Sequence, residues 1–321
     1  LPLSDMGTVY GDFELGEGAS LGYYRIQAAY GDLYDFGTEF QVAEYRRPEF
    51  QVKVTLDKAD YLQGDSIQAL AEASYFFGGA VANGAVTWRV TRRPFYFDRW
   101  QGEGYYSFAD HEEAYFGPYF AGFGEFVTEG EGQTDEEGRF AFVVPADISE
   151  QKQSQVYTIE ASVVDLSNQE VSARSAAVIH KGAFYIGLSP TSYVGTVGKE
   201  LEVRVITVDT QGITHTHQSL EVVFYQHQWY SAKEKADDGN YYWTNKVKDT
   251  AVATQTVKTD ALGQALAGFV PPEGGVYKIV ATGMDKYENV VRSAAYVWVS
   301  SREFVNWRRE NTDRIELVAD K

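Results

Sequence analysis

Cysteine is absent, which removes thiol nucleophiles, disulfides and the common structural zinc sites together. Proline is scarce, at 8 of 321 residues, and no run approaches the eighteen apolar residues of a membrane-spanning helix. Basic residues are also few: 28 Lys and Arg against 46 Asp and Glu give a formal charge of -18, which opposes nucleic acid and anionic membrane surfaces. The pairs Arg46-Arg47, Arg92-Arg93 and Arg308-Arg309 are isolated and read as solvated strand ends. Leu1-Pro2-Leu3 is no signal peptide, so an export signal or lipid anchor is expected outside these residues.

What the chain does have is Tyr, Phe, Val and Thr in quantity, punctuated by 30 glycines, a mixture that suits short strands joined by turns. It also repeats itself. Ser4-Asp5-Met6-Gly7, Thr134-Asp135-Glu136-Glu137-Gly138 and Thr259-Asp260-Ala261-Leu262-Gly263 are turn signals, and alternating apolar positions follow them: Phe140, Phe142 and Val144 after the second, Ala265, Ala267 and Phe269 after the third. A second landmark begins at Tyr24, Tyr157 and Tyr277. These spacings, roughly 120 to 130 residues, are those of whole domains, since solenoid units run about 20 to 50.

Strands are expected near 50–56, 67–75, 85–91, 126–133, 139–144, 156–164 and 171–179, with a parallel set in the next copy. The fold class expected is all-β: tandem seven-stranded antiparallel β-sandwich domains, fibronectin-III-like in strand number. The expected partition is a C-terminal part of a sandwich over 1–47, complete sandwiches over 48–180 and 181–300, and a linker with a first strand over 301–321.

Phe40-Gln41-Val42-Ala43-Glu44-Tyr45-Arg46-Arg47-Pro48-Glu49-Phe50-Gln51-Val52, then Tyr61-Leu62-Gln63-Gly64-Asp65 and Tyr75-Phe76-Phe77-Gly78-Gly79, carry a resemblance. They look like the macroglobulin-type domains of bacterial alpha-2-macroglobulins, most strongly over 36–91. The resemblance implies a scaffold segment of a broad-spectrum endopeptidase inhibitor that entraps proteases, with proteases met through the full-length protein and neighbouring domains as further partners. It implies no enzyme activity, no cofactor, no nucleic acid partner and no membrane insertion by this segment. It also implies an extracytoplasmic location, in the periplasm or attached to the envelope. The thioester of that family needs Cys followed by Glu-Gln, and this chain holds no Cys. The family order places the chain between the end of the second and the start of the fifth macroglobulin-type domain. The rival reading is a cell-surface adhesin or glycan-binding array.

Residues 94–126 depart most from the sandwich pattern, with thirteen aromatics and a formal charge of -5. A loop of about thirty residues in a compact domain folds on itself or has a function. Trp100, Tyr105, Tyr106, Tyr115, Phe116 and Tyr119 are the candidate contact residues, open to three readings: packing on a neighbouring domain, an intermolecular contact, or glycan stacking. His215, His217 and His227 lack a third ligand at diagnostic spacing and read as solvated loop histidines. Asp237-Asp238-Gly239-Asn240 lacks the spacing of a calcium loop and reads as a polar turn. Glu112-Glu113 are neighbours on a loop and do not form a catalytic pair facing across a cleft.

Overall fold

The computed structural model describes residues 8, 11–12, 14–15, 22–30, 34–42, 48–110, 124–235 and 241–301. The chain divides into two compact units, Leu1–Glu49 and Phe50–Lys321. In the first, β1 (Gly22–Tyr30) and β2 (Tyr34–Val42) form an antiparallel hairpin, with Tyr24 stacked on its cross-strand neighbour Phe40 at 5.6 Å.

The second unit holds two sandwiches built on one plan. In the first sandwich, β3 (Phe50–Leu56), β5 (Ser66–Tyr75) and β8 (Arg139–Pro145) form a three-stranded sheet in the order β3-β5-β8. It faces a five-stranded sheet ordered β4-β10-β9-β6-β7, from β4 (Asp60–Leu62), β10 (Glu170–His180), β9 (Gln155–Val164), β6 (Ala85–Pro94) and β7 (Glu125–Gln133). The second sandwich repeats this strand for strand. Its smaller sheet is β11 (Phe184–Pro190), β13 (Leu201–Asp209) and β16 (Gln264–Phe269). Its larger sheet runs β12 (Val194–Thr196), β18 (Val290–Ser300), β17 (Gly275–Met284), β14 (Ser219–Lys235) and β15 (Tyr241–Lys258).

Among the described residues each sandwich therefore has eight strands where the sequence pattern gives seven. The additional ones, β4 and β12, are three residues long, too short for alternation to register, and they pair parallel to β10 and β18. The sheets are thus antiparallel except at one edge. Ile67, Val90, Phe142, Tyr157 and Ile179 fill the first core, and Leu201, Val222, Phe224, Tyr277 and Val297 the second. No helix among the described residues is long and apolar enough to cross a membrane.

The repeated landmarks have physical causes. Five tight turns are each held by an aspartate whose Oδ1 accepts from the backbone N–H groups two and four residues later, at 2.8 to 3.0 Å: Asp135, Asp165, Asp209, Asp260 and Asp285. The residue three places after each aspartate is left-handed, and it is Gly138, Asn168, Gly212, Gly263 and Glu288 respectively. That is a type I turn closed by a left-handed residue, for which glycine is the least costly choice. The threonine before two of these aspartates is a buried clamp: Gly84 N donates to Thr134 Oγ1 at 2.8 Å, and Gln218 N to Thr259 Oγ1 at 2.8 Å. Tyr157 and Tyr277 are fully buried and donate to the carbonyls of Asp147 and Glu273, at 2.7 and 2.9 Å. Each tyrosine anchors the approach to its own strand.

Candidate functional site at the seam between the sandwiches

Only Lys181, Gly182 and Ala183 separate β10 from β11, so the end of one sandwich is brought against the start of the next. A polar chain crosses this seam. Asp60 Oδ1 accepts from Arg99 Nη2 at 2.7 Å and from His180 Nε2 at 2.9 Å. With its proton on Nε2, His180 accepts at Nδ1 from Tyr185 OH, 2.6 Å away. The Tyr185 oxygen then accepts from Ser154 Oγ at 2.7 Å, and Ser154 Oγ accepts from Lys181 N at 3.0 Å. Between the Lys181 N–H and the Asp60 carboxylate, the two hydroxyls and the imidazole each donate and accept in one consistent direction, which is how a buried polar network avoids a desolvation penalty.

Burial pushes the His180 pKa down, with Asp60 offsetting this only in part, so the neutral ring is favoured. Burial likewise raises the Tyr185 phenol. For Asp60, burial would raise the carboxyl, but the hydrogen bonds from Arg99 and His180 outweigh it and hold the pKa below the usual carboxylate range.

Aromatic residues that follow β6 close the seam. Phe97 stacks on Tyr185 with centroids 4.2 Å apart and meets Phe108 at 5.0 Å, while Phe95 meets the His180 ring edge-on at 5.8 Å. With Trp100 and Tyr106 they cover Tyr185, Ile206 and Val208 of the second sandwich. This is why β11 is buried from Phe184 to Ser189 on both faces and does not alternate, as the sequence pattern for an opening strand expects. Backbone bonds fix the position: Ser107 and Leu188 exchange N–H to carbonyl bonds at 2.8 and 2.9 Å, and Arg99 Nη1 reaches the Thr210 carbonyl at 2.9 Å. Glycines make the close approach possible, since a Cβ on Gly187 would come within 2.7 Å of Phe108 and one on Gly212 within 2.2 Å of the Arg99 carbonyl.

Farther along, Ser107 Oγ donates to the Ala294 carbonyl at 2.8 Å and Ser293 Oγ to the Ser107 carbonyl at 2.9 Å. Asp110 then lays its carboxylate over the outer face of the second sandwich, 3.0 Å from Lys278 Nζ and 3.3 Å from Arg292 Nη2. Lys278 is only 1 % exposed, and its ammonium also lies 5.6 Å from the Tyr296 ring centre. The cavity left inside the seam measures about 20 Å³, room for a single water molecule and no ligand.

Of the expected contact residues, Trp100 and Tyr106 face into the seam and meet edge-on at 6.1 Å, whereas Tyr105 is 75 % exposed. The Trp100 Nε1 donor finds no hydrogen-bond partner among the described residues. Tyr115, Phe116 and Tyr119 lie outside the described residues, as do Glu112-Glu113 and Asp237-Asp238-Gly239-Asn240. The histidines are not gathered, and among the described residues no group of three His, Cys, Asp or Glu side chains could hold a metal. His215 is half-buried and stacks on Phe184, and His217 sits exposed in the turn. His227 corrects the solvated-loop reading. It lies buried in β14, with Nδ1 2.6 Å from Asp249 Oδ1 on the facing strand and its ring against Trp229 and Tyr296.

The sequence did not single out Asp60, Ser154, His180, Tyr185 or Lys278. Lys278 occupies a polar position in a strand whose neighbours Tyr277 and Ile279 point to the core, which is the pattern of a solvated lysine. Among the described residues it is the arrival of Asp110 that marks it out.

Comparison with known proteins agrees with this architecture. Residues 187–299 match the sequence model of bacterial macroglobulin domain 6. A curated alpha-2-macroglobulin homolog of a Nostoc species is 26% identical over 318 residues, covering 99% of this chain and 16% of that protein. The native conformation of Escherichia coli alpha-2-macroglobulin superposes with a TM-score of 0.57 at 16% identity, over 89% of this chain and 18% of that one. The trypsin-activated form of the E. coli protein gives a TM-score of 0.53 at 17% identity, over 88% of this chain and 19% of that one. This chain thus spans about one sixth of the length of the curated relative, 16%. The match to domain 6 also corrects the expected position between the second and fifth domains. A repeat pattern reports that copies exist and carries no ordinal number.

Proposed function

We propose, starting from the fact that this chain belongs to the bacterial alpha-2-macroglobulin family, that it is a non-catalytic scaffold segment of a protease-entrapping inhibitor. The observation that carries this reading is the seam. Its polar chain is satisfied end to end and its cavity admits about one water molecule, so residues 48–180 and 181–300 act as two sandwiches fixed into one strut. A strut is what a cage needs from a segment without chemistry of its own. That an E. coli relative has been solved in a trypsin-activated form supports proteases as the partners of the full-length protein. The same membership favours an extracytoplasmic location, where foreign proteases are met. Trp100 and Tyr106 are spent on the seam, which leaves the rival glycan-binding reading without two of its stacking rings.

Steric entrapment predicts a specific result. The full-length protein, mixed with trypsin, should suppress cleavage of a large protein substrate while a small chromogenic peptide is still hydrolysed, and with this isolated chain in its place trypsin should cleave both. Full-length protein that leaves both substrates unprotected would overturn the reading, as would peptide hydrolysis by this chain alone.

A further inference from the structure

The two sandwiches share their strand register, so positions can be equated rung by rung from Tyr157 and Tyr277. Tyr157 faces Ala177 and Tyr277 faces Val297; Thr158 faces Thr91 and Lys278 faces Tyr225. On the outer face of the larger sheet, the rung Arg174, Glu160, Arg89 in the first sandwich therefore corresponds to Ala294, Val280, Val223 in the second. Thr158 corresponds to Lys278, and Arg93 to His227.

In the second sandwich this face is covered. Ala294, Val280, Lys278 and His227 are at most 4 % exposed although they point away from the core, and Asp110 lies over Lys278 and Arg292. In the first sandwich the equivalent Arg174, Glu160, Arg89 and Arg93 are all exposed, around a cleft of about 510 Å³. Among the described residues Arg89, Arg93 and Arg174 enter no ion pair, whereas the neighbouring Arg92 is satisfied by Glu125 at 2.6 Å. Arg89, Arg93 and Arg174 stand here against two carboxylates, Glu160 in the cleft and Glu129 facing Arg89 across the strand pair, so the face keeps a surplus of positive charge on a chain of charge -18. The exposed Phe126 ring, 5.1 Å from the Arg89 guanidinium carbon, supplies an apolar wall.

We propose that this face of the first sandwich docks an extended acidic polypeptide segment, its carboxylates meeting Arg89, Arg93 and Arg174 as the Asp110 carboxylate meets Lys278 and Arg292. The geometry fits a peptide. Arg89 and Arg93 are about 13 Å apart along β6, the span of carboxylates four residues apart on an extended chain. Glu129 and Glu131 on β7 line the adjoining cleft, which shares Arg89 and Glu160 with this one, so a rod of continuous negative charge, such as nucleic acid or a sulfated polysaccharide, meets repulsion that spaced side chains avoid. This proposal is independent of protease entrapment.

The test uses the intact chain and a fluorescein-labelled ten-residue peptide alternating aspartate and alanine, read by fluorescence anisotropy at low ionic strength. Saturable binding is expected, weakened about tenfold or more by the R89A/R174A double substitution, as loss of two charge contacts requires. Lys53→Ala, on the opposite sheet, should leave it unchanged. Both arginines are exposed, so the folded state of the double variant can be verified by circular dichroism. Equal binding by the double variant would overturn the proposal, as would equal binding of a peptide with serine in place of aspartate. Tighter binding of a heparin fragment than of the acidic peptide would do the same.

Discussion

The two sandwiches use the same strands for different ends. After β6 the chain leaves the sheet and residues 95–110 clothe the next sandwich, whereas β14 and β15 at the equivalent place pair on as a ribbon to Lys235 and Tyr241. The outer faces differ accordingly: one carries exposed arginines, and the other a lysine sealed beneath Asp110. The same rung of the same fold is worth different amounts of stability depending on whether something lies over it.

Substitutions at the two faces should separate them. The largest effect is expected for Asp110→Ala, which removes a carboxylate from a buried ammonium. A loss of about 3 kcal/mol in urea unfolding is expected, because truncating one member of a buried ion pair leaves the other charge less well compensated. Lys278→Met should cost much less, since it removes the buried charge as well. If the two cost the same, Asp110 matters for packing and not for charge. At the seam, Tyr185→Phe should cost about 1 to 3 kcal/mol, by leaving His180 Nδ1 and Ser154 Oγ without their shared hydroxyl.

Acidification should act on the seam in a predictable sense. The folded His180 pKa lies below its ordinary 6.5, so the stability it contributes is complete above that value and lost as pH falls through the folded pKa. Asp60, held below 3.8, has the same sign in a lower window. His180→Gln should flatten the dependence of the unfolding midpoint on pH just below 6.5 and leave the dependence below 3.8 in place. Smaller still, Glu288→Gly should add up to about 1 kcal/mol, because Glu288 holds φ at 67° where the equivalent turns have Gly138, Gly212 and Gly263. The least effect is expected for Arg174→Ala: within about 0.5 kcal/mol in unfolding, since the side chain is exposed and enters no ion pair among the described residues. A larger loss would show that its face is covered.

Much of the fold was legible because its signals are local. Asp135 and Asp260 announced turns that are now seen to be held by their side-chain oxygens on backbone N–H groups a few residues away, and alternation along 139–144 or 265–269 needs only one buried face. The strands that escaped, β4 and β12, are shorter than one period of evidence. The aromatic segment drew attention by composition alone, and that singled out Trp100 and Tyr106 without indicating which way they point. His227 was misjudged because its partner Asp249 lies across a strand pair, 22 residues away.

An all-β chain, a repeat of domain size, the turns between strands and the family resemblance could all be read from the residues in order. These follow from periodicity and from side chains that act on their own backbone. Only the tertiary structure decided which polar residues are buried. The pairs Asp60 with His180, Ser154 with Tyr185, and Asp110 with Lys278 are separated by up to 168 residues, and a charge far along the chain leaves no trace in the local pattern of its partner. Whether an outward-facing lysine or arginine is solvated depends on what is laid over it, and that is fixed when one sandwich is folded against the next.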